Sequence, residues 1–222
     1  MDVINLIING VFSQTVNYNT ALFYLINNGL QSNILNVFMP FITNFGSTIV
    51  CFIICGLIYL FGGVRAKKVA ILALLALFIS SAAVYFIKHI IAEPRPFLAL
   101  SNVHQLVSES EIYCSFPSGH TTSSFAAATV IGLKYSIEVL NRKLRLIYPL
   151  LAFAAVIGFS RVYVGVHYPL DVILGGLIGI ISALVVLKYE NNIFSNETLE
   201  KMGLRKLITL DISKIIKKVK WY

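Results

Sequence analysis

Two histidines, one aspartate and three scattered cations are the residues of this chain whose types and spacing can do chemistry. His167 and Asp171 stand four positions apart, about one helical turn. That spacing lets the carboxylate accept a hydrogen bond from one ring nitrogen, leaving the other unprotonated and available as a nucleophile. A structural ion pair with Arg161 is the alternative use of Asp171. His120 closes the run Phe116-Pro117-Ser118-Gly119-His120. Ser118 can cap a helix that starts there, and Gly119 lets another group approach the backbone. The first amides of such a helix have no intrahelical partners and can bind an anion. His120, beside them, has a side chain suited to proton transfer near neutrality. Lys88, Arg95 and Arg161 supply charge and forked donors suited to a phosphate, and Arg95 is held between Pro94 and Pro96.

Singly, each residue has an ordinary structural role: a capping serine, an interfacial histidine, a snorkelling lysine. Together they describe phosphoryl transfer, in which one histidine attacks phosphorus and the other protonates the departing oxygen. Glu93, Glu109 and Glu111 lie nearby without carboxylate-pair spacing, so no acidic cluster for a hard metal is expected. There is no Walker-type glycine loop and no zinc-like cysteine spacing. The expected chemistry is metal-free and cofactor-free, through a phosphohistidine.

The elements that must position these residues are apolar. Of 222 residues, 57% are hydrophobic and 13% charged, and the mean hydropathy is +0.80. A chain of this size cannot hide that much apolar surface in a water-surrounded core. A soluble enzyme, a disordered protein and a disulfide-built secreted domain are excluded, and Cys51 and Cys55 read as small buried hydrophobes. The expected fold is all-α, a polytopic membrane bundle of five or six transmembrane helices plus interfacial helices. Five stretches of the length a bilayer demands lie at about 44–63, 69–91, 119–137, 146–164 and 170–188.

The net charge of +8 is distributed by these spans. Fifteen of the 18 Lys and Arg follow the first, third and fifth spans, on the side the positive-inside rule assigns to the cytoplasm. The other three are Lys88, Arg95 and Arg161. This placement speaks for membrane topology and against nucleic acid as a partner. Residues 1–43 are apolar but studded with Asn, have no charged leader region, and read as interfacial helices or an extra span over about 20–43. Residues 44–190 form the expected catalytic transmembrane unit. Residues 191–222 form a cytoplasmic tail whose basic amphipathic helix, over 196–222, suits the anionic leaflet.

With Lys88 and Arg95-Pro96, Pro117-Ser118-Gly119-His120, and Ser160-Arg161, His167 and Asp171 in hand, the chain resembles the type 2 phosphatidic acid phosphatase superfamily. All three parts of that family's pattern match in full and in order, between residues 88 and 171. The resemblance implies that His167 is the nucleophile, Asp171 its orienting partner and His120 the general acid. It implies that Lys88, Arg95, Ser118, Gly119 and Arg161 hold the phosphate. The runs Glu93-Pro94-Arg95-Pro96-Phe97, Ser115-Phe116-Pro117-Ser118 and Tyr163 to Pro169 are similar to the undecaprenyl-pyrophosphate phosphatases of the superfamily. Gly119 departs from them, since many carry Asp there. The expectation is a multi-pass cell-membrane phosphatase with an extracytoplasmic site, hydrolysing a polyprenyl pyrophosphate to the monophosphate and inorganic phosphate. Phosphatidate or phosphatidylglycerophosphate is the alternative substrate. A non-catalytic phospholipid-binding or transport protein is the alternative of a different class. The expected partners are the lipid substrate and the bilayer; oligomeric state stays open.

Overall fold

The computed structural model describes residues 3–109, 114–139 and 142–195. The amphipathic tail expected over 196–222 lies outside them. In chain order the helices are α1 (Val3–Asn27), α2 (Asn33–Thr43), α3 (Thr48–Phe61), α4 (Val64–Ile91), α5 (Pro96–Ala99), α6 (Gly119–Lys134), α7 (Ile147–Tyr163), α8 (Pro169–Lys188) and α9 (Glu190–Ile193). A short 3-10 turn, Asn44–Gly46, links α2 to α3. Between α6 and α7 the chain turns back through a two-stranded antiparallel hairpin, β1 (Ser136–Val139) and β2 (Arg142–Arg145).

All five stretches expected to cross a bilayer contain a helix. By length and apolarity two segments suffice to cross, Val64–Ala99 and Pro169–Lys188. A third does if Asn33–Gly46 and Thr48–Phe61, bent by 59° at their junction, act as one span. On that count the expected span from residue 44 is the second arm of a longer bent unit. α7 is a shorter apolar helix, and α6 has only 16 residues. The chain is a membrane protein, as its outward-facing Phe61, Phe78, Phe86, Ile90, Ile173 and Ile181 also indicate.

α6 is the axis of the bundle and packs against α4, α7 and α8. It can be the least apolar of these helices because the Ser and Thr hydroxyls of its first two turns find partners without water. Thr122 Oγ1 donates to the Ser118 carbonyl at 2.9 Å, and Ser124 Oγ to the His120 carbonyl at 2.7 Å. Ser123 Oγ lies 2.7 Å from Thr48 Oγ1 of α3. α8 approaches α6 closely at Gly179, where a Cβ would stand 2.4 Å from the Thr122 carbonyl oxygen. Apolar side chains including Cys55, Leu72, Ala76, Ala126, Val130 and Ala183 fill the space between α3, α4, α6 and α8. Cys51 and Cys55 are buried thiols, as their setting in the sequence suggests.

One end of the bundle gathers the topological cations. Arg65 donates to the Lys134 carbonyl at 2.8 Å, Lys134 pairs with Glu190, and Lys68 sits 5.3 Å from the Phe194 ring. α4 carries the chain from Arg65 to Lys88, roughly 35 Å at 1.5 Å per residue, so the candidate site lies at the other end.

Candidate active site

Three helix ends and two loops build the site. α6 begins at its cap, where Ser118 Oγ accepts the Thr121 amide at 3.5 Å and the Thr121 hydroxyl at 2.9 Å. The Ser118 amide donates to the Asp171 carbonyl at 3.1 Å, which ties the start of α6 to the start of α8. Pro169 opens α8, a position where its missing N–H costs nothing. Asp171 Oδ2 accepts the Tyr168 amide at 2.9 Å, so the same carboxylate that caps α8 also faces His167.

His167 Nδ1 stands 3.1 Å from Asp171 Oδ2, and both side chains are buried. The loop before His167 turns at Gly165, whose φ of +85° and 2.6 Å approach of a would-be Cβ to the His104 carbonyl require glycine. Burial first, then the positive charges of Arg161, Arg95 and Lys88, hold the His167 imidazole well below the usual histidine range. It is therefore neutral at physiological pH. With Nδ1 directed at the carboxylate, Nε2 is the nitrogen left for the cavity.

That cavity has a volume of about 790 Å³, and its lining includes Lys88, Arg95, Glu109, His120, Arg161 and His167. The structure thus brings together both histidines and all three cations singled out in the sequence. Gly119 also faces it, whereas the Ser118 hydroxyl is turned into its own helix. Lys88 Nζ donates to the Cys114 carbonyl at 2.6 Å and so also holds the loop that leads to α6. Arg95 donates to the Val166 carbonyl at 3.2 Å. The alternative pairing of Arg161 with Asp171 is not formed. Arg161 turns to the Thr43 hydroxyl at 2.9 Å and to the Glu109 carboxylate, while Asp171 turns to His167.

Three residues of this centre carried no expected role. Ser115 donates its hydroxyl to Asp171 Oδ2 at 2.5 Å and lies 3.4 Å from His167 Nδ1. Thr43 reaches Arg161 from the end of α2. Glu109 lies between Arg161 and Arg95, its Oε2 3.6 Å from Arg95 Nη2. Burial pushes the Glu109 carboxyl up, but Arg161, by charge and hydrogen bond, and then Arg95 outweigh it. The result lies below the ordinary glutamate value, and Glu109 is ionised. Among the described residues no three His, Cys, Asp or Glu side chains form a metal-holding group.

The model of the PAP2 superfamily matches residues 69–195, which hold every one of these site residues except Thr43. The chain belongs to the PAP2 superfamily. Membership makes it a hydrolase of the phosphatase class. The chain is 32% identical to the undecaprenyl-diphosphatase BcrC of Bacillus subtilis over 161 residues, 72% of this chain and 78% of that one. It is also 32% identical to an undecaprenyl-diphosphatase of Sulfolobus acidocaldarius, over 75% of each chain. The crystal structure of Aquifex aeolicus LpxE superimposes with a TM-score of 0.66 at 35% identity, over 78% of this chain and 96% of that one. In this PAP2 protein the three sequence motifs fall at the end of α4, the start of α6 and the α7–α8 turn, around one cavity.

The residues missed in the sequence have modest signals. Ser115 stands in the Ser115-Phe116-Pro117-Ser118 run, so its place in a motif was visible but its direction was not. Glu109 is one acid among several in its loop. Thr43 lies far from every motif, and only the fold brings α2 to α7.

Proposed function

We propose that this protein is a lipid phosphatase that hydrolyses a polyprenyl pyrophosphate, of the undecaprenyl type, to the monophosphate and inorganic phosphate. The observation that carries the chemistry is the His167–Asp171 pair at 3.1 Å beside a cavity holding three cations and a second histidine. The neutral His167 Nε2 attacks the terminal phosphorus, forming an N–P bond as the P–O bond to the lipid phosphate breaks. His120 delivers a proton to the departing oxygen, then accepts one from the water that attacks the phosphohistidine. That second displacement breaks the N–P bond and releases inorganic phosphate. Arg95 and Arg161, with Lys88 and the first amides of α6, neutralise the charge on the transferring group. Nothing in this scheme requires a metal.

A lipid substrate is supported by the cavity's flank. Ile49, Val84 and Tyr85 belong to its lining, and Ile49 and Tyr85 also face outward on α3 and α4. A headgroup can therefore reach the cations while its chain stays among apolar side chains. The similarity to two undecaprenyl-diphosphatases favours the pyrophosphate. In the topology that accompanies this reading, the end carrying Arg65 and Lys134 is cytoplasmic, with the C-terminus. The site lies on the outer face of the cell membrane, and residues 44–190 form the catalytic unit with five crossings.

The test is phosphate release in detergent from undecaprenyl pyrophosphate, a shorter prenyl pyrophosphate, phosphatidate and phosphatidylglycerophosphate. The first is expected to be hydrolysed fastest, and a rapid quench is expected to trap a phosphorylated His167. A folded His167→Ala protein with near-normal turnover would overturn the mechanism. Full loss of activity with chelator, restored by Mg²⁺, would overturn its metal-free part. A preference for phosphatidate would move the substrate and leave the chemistry standing.

A further inference from the structure

The mechanism above leaves Glu109 without a task, although it occupies the centre of the cationic seat. Its two carboxylate oxygens go to different guanidinium groups: Oε1 to Arg161 Nη2, and Oε2 to Arg95 Nη2 at 3.6 Å. Those are the two forks that a phosphoryl group would use. A carboxylate spanning two guanidinium groups presents the same pair of acceptor oxygens as two oxygens of a phosphate. The Glu109 side chain is only 15% exposed, so the pairing is made away from bulk water.

We propose that Glu109 is an internal occupant of the phosphate seat, a built-in competitor that an incoming phosphoryl group must displace and that weakens the hold on inorganic phosphate. The proposal rests on the phosphatase reading for its biological meaning. A carboxylate and a phosphate dianion cannot share the same two forks, because like charges in a low-dielectric site repel strongly. One must leave, and the geometry says which. Arg95 and Arg161 sit at the start of α5 and in the last turn of α7, and both are buried. Glu109 ends a described stretch, residues 100–109, that holds no helix or strand. The stretch is pinned shortly before it, where the Leu106 amide donates to the Val164 carbonyl at 3.1 Å. Displacement therefore asks for the Glu109 side chain to move, on a stretch that is held at Leu106 and not by a helix or strand.

Two consequences follow from an occupant of this kind. In the empty enzyme it separates Arg95 from Arg161, which would otherwise repel across the cavity. After turnover it returns to the forks as inorganic phosphate leaves, so the product is held less tightly than three cations alone would hold it. A larger anion with further contacts along the cavity loses less from the exchange than inorganic phosphate does.

Equilibrium binding of inorganic phosphate to the full chain in detergent, measured by titration calorimetry, tests this directly. Glu109→Gln keeps the shape and removes the charge. It is expected to bind phosphate about tenfold more tightly or more, and phosphate should inhibit lipid phosphate hydrolysis at correspondingly lower concentration. Unchanged or weaker phosphate binding by a folded Glu109→Gln protein overturns the proposal. If that variant fails to fold, Glu109→Asp carries the test. Its shorter side chain should reach the forks less well and bind phosphate more tightly, and unchanged binding overturns the proposal. Because the measurement needs no turnover, it separates the two readings. Tighter binding without any lipid phosphatase activity would overturn the function and keep the occupant. Normal activity with unchanged binding would do the reverse.

Discussion

His167 Nδ1 and Asp171 Oδ2 are 3.1 Å apart, and the oxygen that faces the imidazole also accepts the Ser115 hydroxyl at 2.5 Å. The carboxylate is thereby fixed from a second side, and with it the ring it orients. A hydrogen bond to a charged group is worth about 1.5–3 kcal/mol, which as a barrier is roughly 10–100-fold in rate. Ser115→Ala is expected to lower kcat by about that factor with KM little changed, because Ser115 does not line the cavity. Ser115→Thr should restore part of the loss. Steady-state kinetics on a soluble-chain substrate separates this from a merely structural defect, which would lower the amount of folded enzyme and leave KM and kcat per active site alone.

The His167 imidazole is held below its ordinary range by burial and by Arg161, Arg95 and Lys88. The free enzyme should keep this imidazole neutral well below pH 6.5, so on the proposed mechanism its protonation should not reduce kcat/KM between about pH 7.5 and 6. Stability carries the opposite mark. Below about pH 6.5 the unfolded imidazole takes up a proton that the folded one refuses, so unfolding becomes easier as pH falls. Comparing unfolding temperatures at neutral and mildly acidic pH, the unsubstituted chain should lose more than His167→Gln, which has no group to titrate there.

Gly119 is where the resemblance to the undecaprenyl-pyrophosphate phosphatases is incomplete, and the structure leaves room for a Cβ there. A Cβ at this position would meet only Val84 Cγ1, at an ordinary 3.9 Å. Gly119→Asp should fold and gain about 0.3–1 kcal/mol from a carboxylate in the first turn of α6. The same substitution is expected to raise the ratio of kcat/KM for a polyprenyl pyrophosphate over phosphatidate. A collapse of stability would show that the space at Gly119 is needed by the backbone itself.

Asn27, at the end of α1, joins two parts of the site that are far apart in the chain. Its Nδ2 donates to the Tyr163 carbonyl at 2.8 Å and to the His104 carbonyl at 2.9 Å, and its Oδ1 accepts the His104 amide at 2.9 Å. Asn27→Ala strands these groups, at about 1–3 kcal/mol for each one left buried without a partner. Thermal unfolding in detergent should show the loss, and limited proteolysis should cut the connection around His104 faster.

The local geometry of the candidate site was legible because it is set within a few residues. His167 and Asp171 are one turn apart, Ser118 directly precedes the helix it caps, and Arg95 is flanked by two prolines. The charge asymmetry was legible too, since Arg65, Lys68 and Lys134 do gather at one end. The asparagines of residues 1–43 were not. Asn19, Asn27, Asn28 and Asn36 each bond to a distant loop or helix end, including Leu170, His104, Asn102 and Tyr163. Nothing in their spacing points to those partners.

The sequence alone determined which residues are candidates to hold a phosphate, and that they must be carried by apolar helices, because periodicity, capping and charge placement act over one or two turns. Only the tertiary structure decided the partners: Asp171 with His167 and Ser115 rather than with Arg161, and Arg161 with Glu109 and Thr43. A guanidinium is compatible with any carboxylate that comes within reach. The packing of α6 against α8, and of α2 against α7, sets which one does.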